Sequence, residues 1–271
     1  MIDLIWKACL QGIVQGITEF LPVSSTGHLI LSGRFMDMGN GAFVSMFNVV
    51  IQLASILAVV ICFHDKLIPK AMLQDKQIRE NTFGIWFRTA VGVLPILVIG
   101  FLSRNLVEKM QSSVPVVAVS LFLGGVILLW VERRRTGQVK FDQIHCIPMK
   151  TALYIGLIQC IAMIPGVSRS GATIVGALAL GCSRTAAAEY SFFLAVPTMA
   201  AASGYSLLKH GSHLAPGEWV ALGAGFLVSF LVSWGVIAFL MRYIKTRTFE
   251  VFGYYRILLS AAVLVHCFFF R

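Results

Sequence analysis

Residues 15–28 of the chain read QGITEFLPVSSTGH, and this stretch decides the fold. It carries an amide, a carboxylate, three hydroxyls and an imidazole, although the sequence on both sides of it is mostly apolar. A proline followed by hydroxyls and a glycine, as in residues 22–27, is typical of the end of one helix and the start of the next. The sequence therefore predicts a helix that is broken at residues 22–27, with polar groups at the break.

The composition places this break inside a membrane protein. Of the 271 residues, 58% are hydrophobic and only 13% are charged, which leaves too little polar surface for a soluble domain. Several apolar runs reach the roughly 20 residues that a helix needs to cross a bilayer. We therefore predict an all-α polytopic membrane protein with about six transmembrane helices. The predicted spanning segments are 43–63, 82–102, 114–131, 186–208, 218–241 and 253–270.

The remaining bulk properties exclude several other classes of protein. The net charge of +10 would suit a nucleic-acid partner, but the basic residues lie between the apolar runs. Their position favours a role in membrane orientation, so no nucleic acid is expected. The six cysteines are scattered without a CxxC pair, which favours neither a disulfide framework nor a thiolate metal site. The N-terminus lacks the features of a cleaved signal peptide.

A second apolar region, 151–181, is also broken, at PGVSRSG in residues 165–171. Backbone that is not helical survives at membrane depth only inside protein or beside water. We therefore predict that regions 2–36 and 151–181 are re-entrant helix pairs, each of which enters and leaves the membrane on the same side.

The two broken regions indicate an internal repeat. Gln15 and Gly27 have counterparts in Gln159 and Gly171 at one offset of 144 residues. Each broken region precedes three crossings, so the second half must be inverted and the two polar tips can meet inside the bilayer. This is a transporter-like architecture. We predict one integral membrane domain, 1–271, with halves of about 1–131 and 151–271 and a cytoplasmic linker at 132–150.

The distribution of basic residues sets the predicted orientation. Loops 64–81, 132–150 and 242–252 hold twelve Lys and Arg residues, whereas loops 103–113 and 209–217 hold three. The richer loops are therefore predicted to be cytoplasmic. Both termini then lie outside.

The first break carries a carboxylate whose position demands an explanation. Gln15 and Glu19 are four residues apart and share a helix face. A carboxylate at the bilayer centre costs about 3 kcal/mol, so Glu19 either has a function or pairs with a basic residue to hold two helices together. Hydroxyls after a proline commonly cap the next helix, and a lone histidine is commonly structural. The other candidates in this break are Ser24, Ser25, Thr26 and His28.

The second break places one fixed cation among hydroxyls at a predicted helix start. Arg169 offers a bidentate fork to phosphate oxygens, and a helix N-terminus offers free N–H groups. The hydroxyls are those of Ser168, Ser170 and Thr173. A structural pairing of Arg169 with Glu19 is the alternative.

Other polar residues of the apolar regions give weaker indications. Asn48 and Gln52 lie four residues apart on segment 43–63 and are candidates to line the site. Arg88 and Arg256 are interpreted as side chains that reach from helix ends to the membrane surface. Glu189 is expected to cap its helix or to pair with Arg184.

Taken together, a carboxylate and an imidazole opposite an anion-binding tip favour phosphoryl transfer or hydrolysis. The depth of the site favours a substrate with a lipid tail, since a water-soluble phosphate would not need a site inside the bilayer.

Three motifs carry a family resemblance. QGITE at 15–19, LPVSSTGH at 21–28 and PGVSRSGAT at 165–173 resemble the signatures of the bacterial undecaprenyl-diphosphatase family, the bacitracin-resistance phosphatases. The stretches IQLASILAVV at 51–60 and EYSFFLAVPTM at 189–199 are also similar, so the resemblance covers nearly the whole chain. It implies a bacterial inner-membrane enzyme, open to the periplasm, that hydrolyses undecaprenyl diphosphate to undecaprenyl phosphate and inorganic phosphate. Such an enzyme recycles the lipid carrier for cell-wall synthesis and confers bacitracin resistance.

The resemblance also implies roles for individual residues. Glu19 and Gln15 occupy the acidic motif, Ser25 is the candidate nucleophile with His28 as proton carrier, and Arg169 clamps the phosphate. Whether Ser25 or an activated water attacks stays open. The predicted substrate-binding residues are Gln15, Ser24, Thr26, Gln52, Ser168, Ser170 and Thr173.

The motif departs from many family members at Gln15, where they have Glu. One carboxylate is left, so chelation of a metal by two carboxylates of this motif is not expected. Family activity implies a divalent cation, Mg²⁺ or Ca²⁺, which we expect to bridge Glu19 and the diphosphate. No organic cofactor is expected. Membrane lipids are expected partners, and a homodimer is compatible with the family.

Two other classes of protein are alternatives to this interpretation. The inverted repeat would also suit a flippase for the polyprenyl phosphate, alone or as a second activity, and phosphate release from purified protein separates the two. The type-2 phosphatidic-acid phosphatases act on similar lipids, but their Lys-x6-Arg-Pro motif is absent. A channel is disfavoured because Glu19 and Arg169 do not form a ring of one sign.

Overall fold

The computed structural model describes the chain except for residues 34, 40, 111–112, 136–138, 211–213 and 270–271, and it leaves out the side chains of 104–110, 210 and 266–269. The described residues form eleven α-helices and no sheet beyond one isolated bridge, which confirms the all-α class. The α-helices are α1 (Ile2–Thr18), α2 (Ser25–Gly33), α3 (Gly41–Cys62), α4 (His64–Leu67), α5 (Lys76–Met110), α6 (Val114–Arg133), α7 (Met149–Gln159), α8 (Arg169–Ala179), α9 (Arg184–His210), α10 (Pro216–Thr246) and α11 (Glu250–Phe269). Short 3₁₀ turns lie at Lys70–Leu73, Ile144–Cys146 and Cys160–Met163.

Five helices are long and apolar enough to cross a bilayer, namely α3, α5, α6, α9 and α10. They correspond to five of the six predicted spans, so the chain is a multi-pass membrane protein. The sixth predicted span, 253–270, falls on α11, whose last residues lie partly outside the described part of the chain. Two loop cations used to predict the orientation, Arg104 and Lys109, have side chains outside the described residues.

Both predicted helix breaks are present. The first lies between α1 and α2, and the second lies between α7 and α8 with a 3₁₀ turn inside it. The first break starts at Glu19, three residues before Pro22. A proline disfavours helical backbone at the residue before it, so a helix commonly ends ahead of the proline itself.

The packing of the helices follows the repeat. Helix α1 packs on α10 and α7 packs on α5, while α3 packs on α9 and α6 packs on α11. In the repeat, α1 corresponds to α7, α3 to α9, α5 to α10 and α6 to α11. Exchanging the two halves therefore turns the α1–α10 pair into the α7–α5 pair and leaves the α3–α9 and α6–α11 pairs unchanged. The closest crossings repeat as well: a Cβ on Gly12 would lie 2.5 Å from the carbonyl oxygen of Gly225, and a Cβ on Gly156 would lie 2.2 Å from that of Gly92. Gly12 and Gly156 are again 144 residues apart. Small residues at such crossings let backbones approach closely in membranes.

A carboxylate ties three helices together at one end of the bundle. Glu132, in the last turn of α6, accepts hydrogen bonds from the guanidinium of Arg184 through both oxygens, at 2.7–3.2 Å. It also accepts one from the backbone N–H of Phe249, just before α11, at 2.9 Å. Glu189 pairs with Lys66 at 2.5 Å instead. The predicted pairing of Glu189 with Arg184 is therefore wrong, because Glu132 already takes Arg184.

The predicted domain boundaries and linker remain predictions, but the core is consistent with one body. The largest buried cluster draws residues from both halves, including Phe20, Phe63, Phe192 and Phe249. Phe192 lies edge-on to Phe20, with ring centroids 5.0 Å apart. This cluster lies directly behind the first break and holds it against α9.

Candidate active site

Each helix break ends in a serine with the same unusual backbone. Ser24 has φ of 74° and Ser168 has φ of 72°, and they are the only non-glycine residues with positive φ among those the structure describes. Each serine accepts a hydrogen bond from the N–H three residues later: Gly27 to Ser24 at 3.2 Å and Gly171 to Ser168 at 3.0 Å. Such backbone costs of order 1–3 kcal/mol and clusters at functional sites. Both serines therefore cap the returning helices α2 and α8.

Glu19 is the residue on which the two breaks converge. Its carboxylate is buried, with the residue 3% exposed. One oxygen, Oε2, accepts hydrogen bonds from the hydroxyl of Ser25 and from the amide of Gln15, both at 2.7 Å. The other oxygen, Oε1, accepts one from Nη2 of Arg169 at 3.0 Å. The structure thus places Ser25 and Arg169 on opposite oxygens of a single carboxylate.

Arg169 is held by α9 as well as by Glu19. Its Nη1 donates to the carbonyl of Ser191 at 2.8 Å, and its Nη2 contacts the sulfur of Met199 at 3.7 Å. Its third nitrogen, Nε, is buried and has no hydrogen-bond partner among the described residues. Leaving a buried polar atom unpaired costs about 1–3 kcal/mol, so Nε is a donor that an anionic ligand can use.

The amide oxygen of Gln15 is a second unpaired atom next to Glu19. Its nitrogen donates to Glu19, but Oε1 is buried without a hydrogen-bond partner in the described residues. The site therefore presents one free donor, on Arg169, and one free acceptor, on Gln15. A free acceptor beside a carboxylate suits a cation or a protonated ligand group.

The hydroxyls of the second break bond to the first tip, to each other and to α9. Ser170 donates to the carbonyl of Leu21 at 3.1 Å and lies 3.1 Å from the hydroxyl of Ser168. Thr173 is fully buried and bonds to the hydroxyl of Ser191 at 2.6 Å. In this arrangement the three predicted substrate-binding hydroxyls of the second break already have partners within the protein.

His28 lies beside the site, but its described hydrogen bonds do not include one to Ser25. Its Nδ1 is 2.7 Å from the carbonyl of Ser24, and its Nε2 is 2.7 Å from the hydroxyl of Tyr255. The carbonyl can only accept, so Nδ1 carries a proton, and a neutral ring then accepts from Tyr255 at Nε2. The His28 and Tyr255 rings are also stacked, with centroids 5.6 Å apart.

Two predicted substrate-binding residues lie apart from this network. Thr26 is exposed on the first turn of α2. Gln52 donates to the carbonyl of Asn48 on its own helix, at 3.0 Å. Neither has a described hydrogen bond to Glu19 or Arg169, so their predicted role has no direct geometric support here.

Arg256 is a site residue that the sequence interpretation missed. It was expected to reach the membrane surface, but it is 1% exposed, so that expectation is wrong. Its guanidinium donates to carbonyls of both breaks: Pro22 at 3.1 Å, Gly166 at 3.1 Å and Val167 at 3.0 Å. It also donates to the carbonyls of Ser120 and Leu121 on α6.

The described residues offer no carboxylate to Arg256, so its charge is balanced only by carbonyl dipoles. One cation therefore fixes both tips to α6 and α11 and adds positive potential behind the site. Tyr255 and Arg256 could have been found as adjacent polar residues inside an apolar helix, because an ionisable residue within a spanning segment is by default a candidate functional residue.

Comparison with known proteins places these residues in a family context. The model of the family described as bacitracin resistance protein BacA matches residues 8–262. A curated relative from Clostridioides difficile (strain 630), undecaprenyl-diphosphatase 1, is 47% identical over 97% of this chain and 96% of its own length. Undecaprenyl-diphosphatases from Lachnoclostridium phytofermentans and Enterococcus faecalis are 48% and 46% identical, over 95% and 96% of this chain and 94% and 96% of their own lengths.

Proposed function

Because the chain belongs to the bacitracin resistance protein BacA family, we propose that it hydrolyses undecaprenyl diphosphate to undecaprenyl phosphate and inorganic phosphate. The relatives named undecaprenyl-diphosphatase are similar to this chain over nearly their whole length. The chain is a multi-pass membrane protein, which suits a substrate anchored by a polyprenyl tail. The activity recycles a lipid carrier for cell-wall synthesis and accounts for bacitracin resistance.

The observation that carries the mechanism is the position of Glu19 between Ser25 and Arg169. The Ser25 hydroxyl donates to Glu19 Oε2 at 2.7 Å, so the carboxylate is placed to take that proton. Arg169 stands on the other oxygen of the same carboxylate at 3.0 Å. A nucleophile, its base and a cation for the phosphate are therefore within one hydrogen-bond network.

In the proposed reaction the Ser25 oxygen attacks the terminal phosphorus while its proton passes to Glu19. The bond from that phosphorus to the bridging oxygen breaks, and undecaprenyl phosphate leaves. Water then cleaves the phosphoseryl ester, releasing inorganic phosphate and restoring the serine hydroxyl. Arg169 and the N–H groups at the start of α8 would stabilise charge on the equatorial oxygens. In the alternative, Glu19 activates a water that attacks directly, and Ser25 only positions it.

The arrangement favours Glu19 over His28 as the base for Ser25. The serine hydroxyl already donates to Glu19, whereas both nitrogens of His28 are engaged by Ser24 and Tyr255. We therefore propose that His28, together with Tyr255, exchanges protons with phosphate groups or solvent at the edge of the site, rather than acting on Ser25.

A divalent cation fits this site only if the substrate helps to bind it. The described residues contain no group of three or more His, Cys, Asp or Glu side chains that could hold a metal. The unpaired oxygen of Gln15 and the carboxylate of Glu19 would supply two oxygen ligands, and the diphosphate would supply the others. Bound there, Mg²⁺ or Ca²⁺ would offset negative charge on the diphosphate.

The orientation and assembly of the chain also belong to the proposal. The excess of basic residues in loops 64–81, 132–150 and 242–252 supports their placement in the cytoplasm. The termini would then lie in the periplasm, and the first re-entrant pair would open to that side. A homodimer stays a prediction.

Trapping the intermediate tests the mechanism. Purified protein is mixed with undecaprenyl diphosphate labelled at the terminal phosphate, quenched in acid within one turnover, and digested for mass spectrometry. We expect labelled phosphate on the peptide that contains Ser25, and none in the Ser25→Ala variant. Phosphate release without any label on the protein would contradict the serine route and favour direct attack by water. No phosphate release at all would overturn the proposed function.

A further inference from the structure

A cavity lined by several cations lies at the end of α6. It has a volume of about 320 Å³, and three cations and two large apolar side chains contribute to its wall. The cations are Arg134, Arg135 and Lys140, and the apolar side chains are Trp130 and Leu178. We call this group the basic pocket. Leu178 follows Arg169 by nine residues on α8, so the pocket lies roughly 14 Å along the helix axis from the candidate active site.

Arg135 presents an unused donor in this pocket. Its Nη2 donates to the carbonyl of Cys182 at 2.9 Å. Its Nη1 is buried and has no hydrogen-bond partner among the described residues. Burial lowers the pKa of Arg135, and the nearby charge of Arg184 lowers it further, while the charge of Glu132 opposes these two effects in part. An anion at Nη1 would satisfy the donor and offset both unfavourable effects.

The three cations of the basic pocket have no carboxylate as a direct partner among the described residues. The nearest carboxylate in sequence, Glu132, is already engaged by Arg184 through both oxygens. Neither Arg134, Arg135 nor Lys140 forms a described salt bridge. Arg134 instead lies over the ring of Trp130, 5.1 Å from its centroid.

The surroundings of the pocket indicate what kind of anion fits. Trp130 is in the last turn of the spanning helix α6 and is 55% exposed. Tryptophan at such a position is typical of the boundary between lipid tails and headgroups. The loop that follows is one of the three predicted to be cytoplasmic. Clusters of Lys and Arg just cytoplasmic of a spanning helix attract anionic lipids.

We propose that the basic pocket binds the phosphate of an anionic phospholipid of the cytoplasmic leaflet. Arg135 and Lys140 contact the phosphate, and the glycerol and the start of the acyl chains lie along Trp130. The site is separate from the hydrolytic centre and fixes the end of α6 against the loop after α8. The proposal does not depend on the hydrolytic reaction.

Native mass spectrometry of the purified chain with added phosphatidylglycerol tests this proposal. The test variant is Arg135→Gln/Lys140→Gln. The matched control is Arg79→Gln/Arg133→Gln, which removes two charges from the ends of α5 and α6 on the same predicted face, outside the pocket. Lipid held by Glu19 and Arg169 contributes equally to all three proteins, since that pair is intact in each. We expect the tightest phosphatidylglycerol site to weaken by about tenfold or more in the test variant and by less than twofold in the control.

Two further measurements show whether the bound phosphate belongs to a lipid headgroup or is free inorganic phosphate. Phosphatidylcholine should occupy the wild-type pocket weakly, because it carries no net charge. An excess of inorganic phosphate should leave phosphatidylglycerol binding in place. Equal loss in the test and control variants, equal binding of the two lipids, or displacement of phosphatidylglycerol by inorganic phosphate would each overturn the proposal.

Discussion

The two helix breaks share a backbone but differ in chemistry. Ser24 and Ser168 adopt the same left-handed conformation and cap the next helix in the same way, and they are one repeat of 144 residues apart. The following residues differ, because Ser25 of the first break corresponds to Arg169 of the second. Likewise Glu19 corresponds to Met163.

This difference shows how a symmetric scaffold forms an asymmetric site. The first break supplies the carboxylate and the hydroxyl, and the second supplies the cation. The repeat brings two helix N-termini together. The residues that differ between the two breaks give each N-terminus a different chemical role. Substitutions in one helix break at a time test whether the two breaks have different roles.

The largest effect is expected from Glu19→Gln. The change removes the base and leaves the buried Arg169 without its ion pair, so kcat should fall by about 10³-fold or more. Phosphate release in detergent measures kcat, and thermal unfolding measures stability. The matched control is Glu132→Gln, which also removes a buried carboxylate paired with an arginine. It should lower stability but retain most activity. Equal kcat losses in the two variants would mean that Glu19 acts only structurally.

The next effect is expected from Arg169→Lys. An ammonium keeps the charge but cannot contact Glu19, Ser191 and the substrate together, so kcat/KM should fall by about 10²-fold. Arg184→Lys is the control, since it weakens the bidentate pair with Glu132 far from Ser25. Near-normal turnover of Arg169→Lys in lipid would remove the assignment of Arg169 as the phosphate clamp.

A smaller effect is expected from Tyr255→Phe. The ring still stacks on His28, but the hydroxyl that contacts Nε2 is lost. One net hydrogen bond is worth about 0.5–1.5 kcal/mol, so kcat/KM should fall about two- to tenfold. If Tyr255 sets the protonation of His28, the pH profile of kcat/KM should also shift. In Tyr254→Phe, where the hydroxyl faces Arg133 instead, the profile should stay unchanged. An identical profile in both variants would argue against a positioning role for Tyr255.

The smallest effects are expected at the caps, where the two breaks should behave alike. Ser24→Ala and Ser168→Ala should each lower the free energy of unfolding by about 1 kcal/mol through the lost cap. The Gly variants should be less destabilising, since glycine tolerates positive φ. Denaturant titration in mixed micelles measures these changes. A several-fold difference between Ser24→Ala and Ser168→Ala would show that the two breaks are not energetically equivalent.

Much of the fold followed from hydrophobic pattern alone. The five long spans and both breaks lie close to their predicted positions, because apolar length and proline position act locally. Two predictions about what individual side chains contact are wrong. One of the two alternatives for Glu189, pairing with Arg184, is wrong because Glu189 pairs with Lys66. The prediction that Arg256 reaches the membrane surface is wrong because this residue is buried. Such contacts depend on the approach of helices that are distant in sequence, which local patterns do not encode.

The sequence by itself determined that the chain is an all-α membrane protein with two polar breaks related by 144 residues. It also identified Glu19, Ser25 and Arg169 as candidates, because polar groups are costly at that depth and must have partners or a function. Only the tertiary structure decided that Glu19 lies between the other two, that His28 faces Tyr255, and that Arg256 joins both breaks. The reason is that hydrogen-bond partners are chosen within about 3 Å, and only the packing of α1, α8, α9 and α11 brings these groups that close.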